Sequence, residues 1–306
     1  ELTENFSLGI RYINREVKDG MDDFCAHQGF VDWAEDQGYD NFDYHTMAGC
    51  MFINPGKDLT FAIDVNNDGN LETHSISNDY FKLPKYKREY QAVELFWERS
   101  MTDGFYFQGS YTWSEGKGNM EGYVNSSLEQ ADPGLTQDFD HYRFMEGSDG
   151  PLPNDRTHTL KLFGVYEITD ELSASVNFNA QSGRPQSCLG FVDLDGLGVD
   201  AGGLSGYSGS SFYCLQEDGE RVLGNRGNQG RTPWTYNVDM GFQYKPTMVK
   251  GLTLRADITN VFNLDEVTEY DEFGETSRDI HNPDFMQPVG HQTPRSVRLT
   301  ARYTFN

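Results

Sequence analysis

Ser296-Val297-Arg298-Leu299-Thr300-Ala301-Arg302-Tyr303-Thr304-Phe305 alternates without a break between apolar and polar side chains. In an extended chain, successive side chains point to opposite faces, so Val297, Leu299, Ala301, Tyr303 and Phe305 share one face while Arg298, Thr300, Arg302 and Thr304 share the other. A helical period would scatter both sets around an axis. The same pattern recurs upstream. Leu254, Ala256 and Ile258 stand against Thr253, Arg255, Asp257 and Thr259; Tyr236, Val238, Met240, Phe242 and Tyr244 stand against Asn237, Asp239, Gly241 and Gln243. Leu172 to Gln181, Leu160 to Ile168, Phe105 to Trp113, Val93 to Trp97 and Phe6 to Tyr12 repeat it. About eight strands follow from this alternation.

The connections between them alternate in length. Residues 101–104, 169–171 and 246–251 are short, whereas 14–85, 116–155, 182–233 and 263–294 are long. A soluble sandwich also alternates apolar and polar residues, but it has no reason to put every long connection at one end. Barrels of the bacterial outer membrane do, with short periplasmic turns and long extracellular loops. Aromatic residues fit the same reading. Phe105 and Trp113 bracket Gly109, Tyr236 and Tyr244 bracket Val238 and Met240, and Phe6 and Tyr12 bracket Leu8 and Ile10, as two interfacial girdles require. The fold expected is therefore all-β, a transmembrane antiparallel β-barrel segment covering residues 1–306.

Composition narrows the function. Aromatic residues make up 14% of the 306 residues and glycines number 32, yet no apolar run approaches the roughly 20 residues of a membrane-spanning helix. A net charge of -24 argues against nucleic acid, whose phosphates must be neutralised by Lys and Arg. Acid gathers in 193–200 and 265–279, to be read as solvated loop surface or as a binder of divalent cations. Cys25 with Cys50 and Cys188 with Cys214 are spaced too widely for a zinc site and read as two loop disulfides formed in an oxidising compartment. Glu1 leads almost directly into a strand, so an export signal has been removed or the chain is a fragment.

Several short runs resemble the carboxy-terminal barrel of TonB-dependent receptors, especially the Oar-like branch. They are Pro153-Asn154-Asp155-Arg156-Thr157-His158, Gln181-Ser182-Gly183-Arg184-Pro185, Arg231-Thr232-Pro233-Trp234, Asp257-Ile258-Thr259-Asn260-Val261-Phe262-Asn263 and the closing Tyr303-Thr304-Phe305. The resemblance implies a parent barrel of about 22 strands, of which about eight are present, with a plug domain, the amino-terminal strands and a TonB-engaging box absent from this sequence. It implies partnership with outer-membrane lipid, with the plug and with the TonB complex, and capture of an extracellular ligand for energised import. It also implies a terminal aromatic residue, whereas Asn306 follows Phe305.

The candidate sites follow from this frame. Arg11, Lys161, Asp239, Arg255, Asp257, Arg298 and Arg302 fall on the polar faces and would line the lumen, where charges are paired or wet. Asp64, Asn66, Asp68 and Glu72 surround the run Asp64-Val65-Asn66-Asn67-Asp68-Gly69, which matches the opening of a calcium loop but has Ser75 where the bidentate Glu belongs. An ordinary Asn/Asp/Gly turn is the preferred reading, with a weak calcium site as the alternative. The glycine spacing of Gly196 and Gly198 lacks a strand before and a helix after it, and the serines of 205–211 lack nucleophile-elbow spacing. The chain therefore reads as no enzyme, and no cofactor is expected beyond the possible loop calcium. Loop histidines such as His27 and His141 are expected to be solvated. Two other functions remain open: a passive or structural outer-membrane barrel serving as adhesin or pore, and a secreted calcium-binding β-sandwich.

Overall fold

The computed structural model describes residues 5–128, 136–192 and 211–305. Eight long strands occur in chain order: β1 (Phe6–Val17), β2 (Arg88–Thr102), β3 (Phe105–Gly118), β4 (His158–Glu167), β5 (Leu172–Gln181), β6 (Thr235–Tyr244), β7 (Leu252–Thr259) and β8 (Ser296–Tyr303). Each pairs antiparallel with its neighbours in sequence, which makes the sheet a meander without crossovers. All four long connections consequently leave the sheet at the same end.

Register carries the alternation from strand to strand. Trp97 lies opposite Gly109, Gly109 opposite Leu162, Leu162 opposite Phe178 and Phe178 opposite Val238. Gly109 is small because a Cβ there would meet Trp97 Cζ2 at 2.6 Å and Leu162 Cδ2 at 2.7 Å. The indole occupies the space above it. This apolar face is uncovered: Ile10 is 71% exposed and Leu299 77%. Val176 and Met240 are likewise not buried, and among the described residues the remaining sheets are two-stranded hairpins. A sandwich would bury these side chains between stacked sheets, so the sandwich reading falls.

The first three strands are longer than the alternation indicates, at 12, 15 and 14 residues, against about 9–11 needed to cross a bilayer. Their loop-side ends break the pattern, since Ile13 and Val17 share the face of Arg11. A strand that continues beyond the hydrocarbon has no reason to keep apolar residues on its outer face.

The long connections are themselves folded. Residues Gln28–Gln37 form a helix, α1, whose Phe30, Trp33 and Ala34 are buried at the i, i+3, i+4 spacing of one helical face. Gly38 and Tyr39 close it by donating to the carbonyls of Glu35 and Ala34. Phe30 packs on Phe81 and Phe61 with ring centroids at 4.8 and 5.1 Å. The same cluster takes in Ile53, Leu59, Ile63 and Ile76 from the first loop, Met120, Phe139 and Phe144 from the second, and Val192 from the third. Both expected disulfides are formed, Cys25–Cys50 with Cα atoms 4.2 Å apart and Cys188–Cys214 at 5.4 Å. The apolar core of this chain thus lies in its loops, and the helix was hidden there by its short length.

Orientation of the sheet can be tested at Leu254, which lies opposite Tyr244 and Ala301 on the apolar face. Leu254→Arg in the full-length protein is expected to cost about 2–4 kcal/mol near the bilayer midplane and to abolish the heat-modifiable folded band on electrophoresis. Unimpaired assembly of that variant would reverse the assignment of faces.

Candidate functional site

The motif runs from three separate parts of the chain meet at the loop-side end of β3 to β6. Asp155 is buried; its Oδ1 accepts from Gly116 N–H at 2.7 Å and its Oδ2 pairs with Arg231 Nη2. Arg231 Nη1 also donates to the carbonyl of Gly183 at 3.0 Å. Arg156 Nη1 donates to Ser182 O at 3.2 Å, and Ser182 Oγ accepts from His158 N–H at 3.0 Å. Arg184 and Thr232 exchange bonds in both directions. Gly183 passes so close to Thr232 that a Cβ would lie 1.6 Å from its carbonyl oxygen. On the outer face of the same junction, His158 stacks on Trp234 at 5.7 Å and bonds the Tyr111 hydroxyl at 2.8 Å. The runs are therefore a clasp that fixes where strands end and loops begin. A fourth run does the same between β7 and β8: Asn260 (φ 48) is buried, donates to Leu264 O and Thr293 O, and accepts from Leu264 N–H.

Beside the clasp, on the polar face of the sheet, lies a cavity of 700 Å³ between β1, β2, β3 and β4. Its charged lining consists of Arg15, Arg88, Glu89, Glu94, Asp155, Arg156 and Lys161. All seven charges expected on the polar faces share this side of the sheet by register. Arg11 pairs with Glu94 across β1 and β2 at 3.6 Å. Asp257 receives Arg255 at 2.7 Å and Arg298 at 3.4 Å. Asp239 accepts from Asn237, Asn177 and the Asn260 N–H. Lys161 lines the cavity, and Arg302 lies opposite Thr253.

Above the clasp the loops are joined by buried charges. Arg226 of the third loop donates to Ser148 O at 2.7 Å and Asn119 O at 3.2 Å in the second, and its guanidinium lies over the Phe212 ring at 4.9 Å. Glu272 of the fourth loop takes Arg184 Nη2 and Ser187 N–H, each at 2.8 Å. Glu275 takes Phe191 N–H and Arg221 Nη2. Part of the acid in 265–279 is thus neither solvated surface nor free for cations; two carboxylates are interior partners for arginines. His27 and His141 are also buried rather than solvated, the former bonded to Ala48 O. The calcium-like run forms a tight turn between strands Leu59–Ile63 and Glu72–Ile76. Asp64 accepts from the N–H groups of Asp68 and Gly69, Asn66 and Asp68 are exposed, and Glu72 faces His74. Among the described residues, metal-type side chains gather only at Asp23, Cys25, Cys50 and Asp140, where the two sulfurs are already joined. Gly196, Gly198 and residues 205–210 lie outside the described residues.

Burial raises Asp22 and Glu272 to about 7 and pushes Asp138 upward, while burial lowers His141 to about 4. A raised carboxyl stabilises the fold below its unfolded value and loses that contribution as pH climbs through the folded one; a lowered histidine acts in the opposite sense between about 4 and 6.5. The two oppose each other in acid, but above pH 6.5 only the carboxyls titrate. The loop layer is expected to become more susceptible to protease as pH rises from 6.5 to 8, and Asp22→Asn should flatten that trend. The clasp makes a second expectation. Asp155→Ala leaves Arg231 and the Gly116 N–H without their partner and should cost about 3 kcal/mol, the upper range being discounted because Arg231 is partly exposed. Asp155→Asn, which still accepts from Gly116, should cost less, both read from urea midpoints of the full-length protein in detergent.

No protein-family model matches the sequence. The chain is 30% identical over 307 aligned residues to the TonB-dependent transporter Oar of Myxococcus xanthus, an alignment that covers 85% of this chain and 27% of the relative. It therefore spans about a quarter of that protein's length. Among solved structures, the outer membrane transporter YddB from Escherichia coli aligns with all of this chain and 31% of its own at a TM-score of 0.49 and 10% identity. The iron transporter FrpB from Neisseria meningitidis aligns with 99% of this chain and 30% of its own at 0.46 and 12%. Sequence, meander and one-sided loops agree: the chain belongs to the TonB-dependent receptors of the outer membrane, as a segment of their β-barrel.

Proposed function

We propose that this segment supplies part of the extracellular face of a receptor that captures a ligand at its loops and imports it with energy delivered through TonB. The observation that carries the reading is the loop layer. Four long connections emerge on one side: the first three share an apolar core, the first and the third each carry a disulfide, and buried ion pairs tie the fourth to the third, beside a cavity on the polar face of the sheet. A passive pore needs an open mouth; a receptor needs a shaped surface whose side chains are held in place before the ligand arrives. Strand-borne loops on a rigid scaffold are where binding specificity is built. The relative's description as a TonB-dependent transporter supports the energised step, with plug and TonB contacts belonging to the rest of the parent protein.

Cells carrying the full-length protein, compared with cells deleted for TonB and with cells whose protein lacks residues 22–83, provide the test. Mass spectrometry of a defined medium is expected to find at least one solute depleted only when both TonB and the loop are present. Depletion that persists without TonB would favour the passive pore, and attachment to surfaces without any depletion would favour the adhesin.

A further inference from the structure

We infer that the 700 Å³ cavity is a subsite for an anionic group, a carboxylate or a phosphate, on the substrate's path; this deepens the receptor reading and rests on it. The chain carries a net charge of -24, yet the cavity is lined by four cations, Arg15, Arg88, Arg156 and Lys161, and three acids, Glu89, Glu94 and Asp155. The three acids are each matched by a base outside the cavity. Glu94 has Arg11 at 3.6 Å, Glu89 has Lys117 at 3.9 Å, and Asp155 has Arg231. None of the four cations has a carboxylate within 4.0 Å among the described residues. Arg156 reaches only the Ser182 carbonyl. Each acid thus has a base of its own, whereas Arg88 meets the Tyr86 side chain and Arg156 a carbonyl, neither of which cancels a positive charge.

Four uncompensated cations in one hollow repel one another, and that repulsion is relieved when an anion enters. Arg156 already registers the crowding, since burial and the nearby Arg184 and Arg231 push its pKa down from the ordinary guanidinium range. Guanidinium groups suit the purpose, presenting planar paired donors to the two oxygens of a carboxylate or phosphate. Low-dielectric walls focus the field inside a hollow, so charges there act more strongly than the same charges on open surface. Ser110, Thr112 and Thr159 line the same space and offer hydroxyl donors to the remaining oxygens. The acidic loop surface above would repel small anions at random, which leaves entry to ligands that the loops bind for other features and that carry the anionic group inward.

The test uses the full-length receptor in detergent, with inorganic pyrophosphate and citrate as probes and sodium chloride of equal ionic strength as control. Acetylation of Lys161 is followed by peptide mass spectrometry. Protection of at least fivefold by either probe, lost in Arg15→Gln and in Arg156→Gln while acetylation of Lys18 stays unchanged, is the expected result, and the effective probe identifies the group. Arg15 is exposed and has no described partner, so Arg15→Gln keeps the experiment valid even if Arg156→Gln fails to fold. Unprotected Lys161, or protection that survives both substitutions, overturns the subsite. Solute depletion by cells scores the receptor reading separately: a receptor that depletes a solute but never protects Lys161 keeps its function and loses this site.

Discussion

Everything in this molecule follows from the requirement that a peptide group inside hydrocarbon has its hydrogen bonds met by protein, because lipid tails offer neither donor nor acceptor. Strands satisfy it only by pairing on both sides. Within the described residues, β2 to β7 are paired on both sides, whereas β1 pairs only with β2 and β8 only with β7. Unpaired strand edges are unfavourable in a membrane, so the outer edges of β1 and β8 need partners beyond the pairing described here. The same requirement explains why side chains, and not backbone, carry the distinction between outside and inside. Once pairing has fixed the register, a single alternating pattern sends Ile10 and Leu299 toward lipid and Arg11 and Arg298 away from it.

Above the hydrocarbon the solvent changes and so does the architecture. Strands β1, β2 and β3 outrun the bilayer and drop their alternation. The loops then fold as a water-soluble protein does, around phenylalanines and a short amphipathic helix. Their buried charges are tolerated because each is met: Arg226 by carbonyls and an aromatic face, Glu272 by Arg184 and an N–H group, Asp155 by Arg231 and Gly116. Burial of unmatched charge would cost several kcal/mol, so these matches are conditions of folding and not ornaments on it.

The sequence made some of this readable and not the rest, for physical reasons. All eight membrane strands could be read because lipid contact imposes a strict period of two over a known length, and the one-sided placement of long loops followed. The cysteine pairs could be read from their wide, loop-bound spacing. Helix α1 could not, since ten residues inside a loop give a weak periodic signal and its partners, Phe61 and Phe81, lie far along the chain. Acidic residues in 265–279 and the histidines at 27 and 141 looked solvated because composition does not show which of them is folded inside the loop layer against an arginine or a carbonyl distant in sequence. The resemblance-bearing runs were visible as strings, but their common role as a clasp depends on three-dimensional meetings between residues 24 to 76 apart. The cavity-lining Arg15 and Arg88 carried no motif at all. Arg156 was marked only as part of the run 153–158, and Lys161 through its place in a strand.

The joints between loops have a consequence for how such a surface can change. Arg226 belongs to one connection and its carbonyl partners to another; Glu272 and Arg184 are divided in the same way. An isolated hairpin could diversify freely, but here a replacement in one segment orphans a charge in its neighbour. New recognition is therefore acquired most readily at positions that face outward between these joints, such as Leu71 and Phe52, whereas exchange of an entire connection succeeds only if its neighbour is exchanged with it.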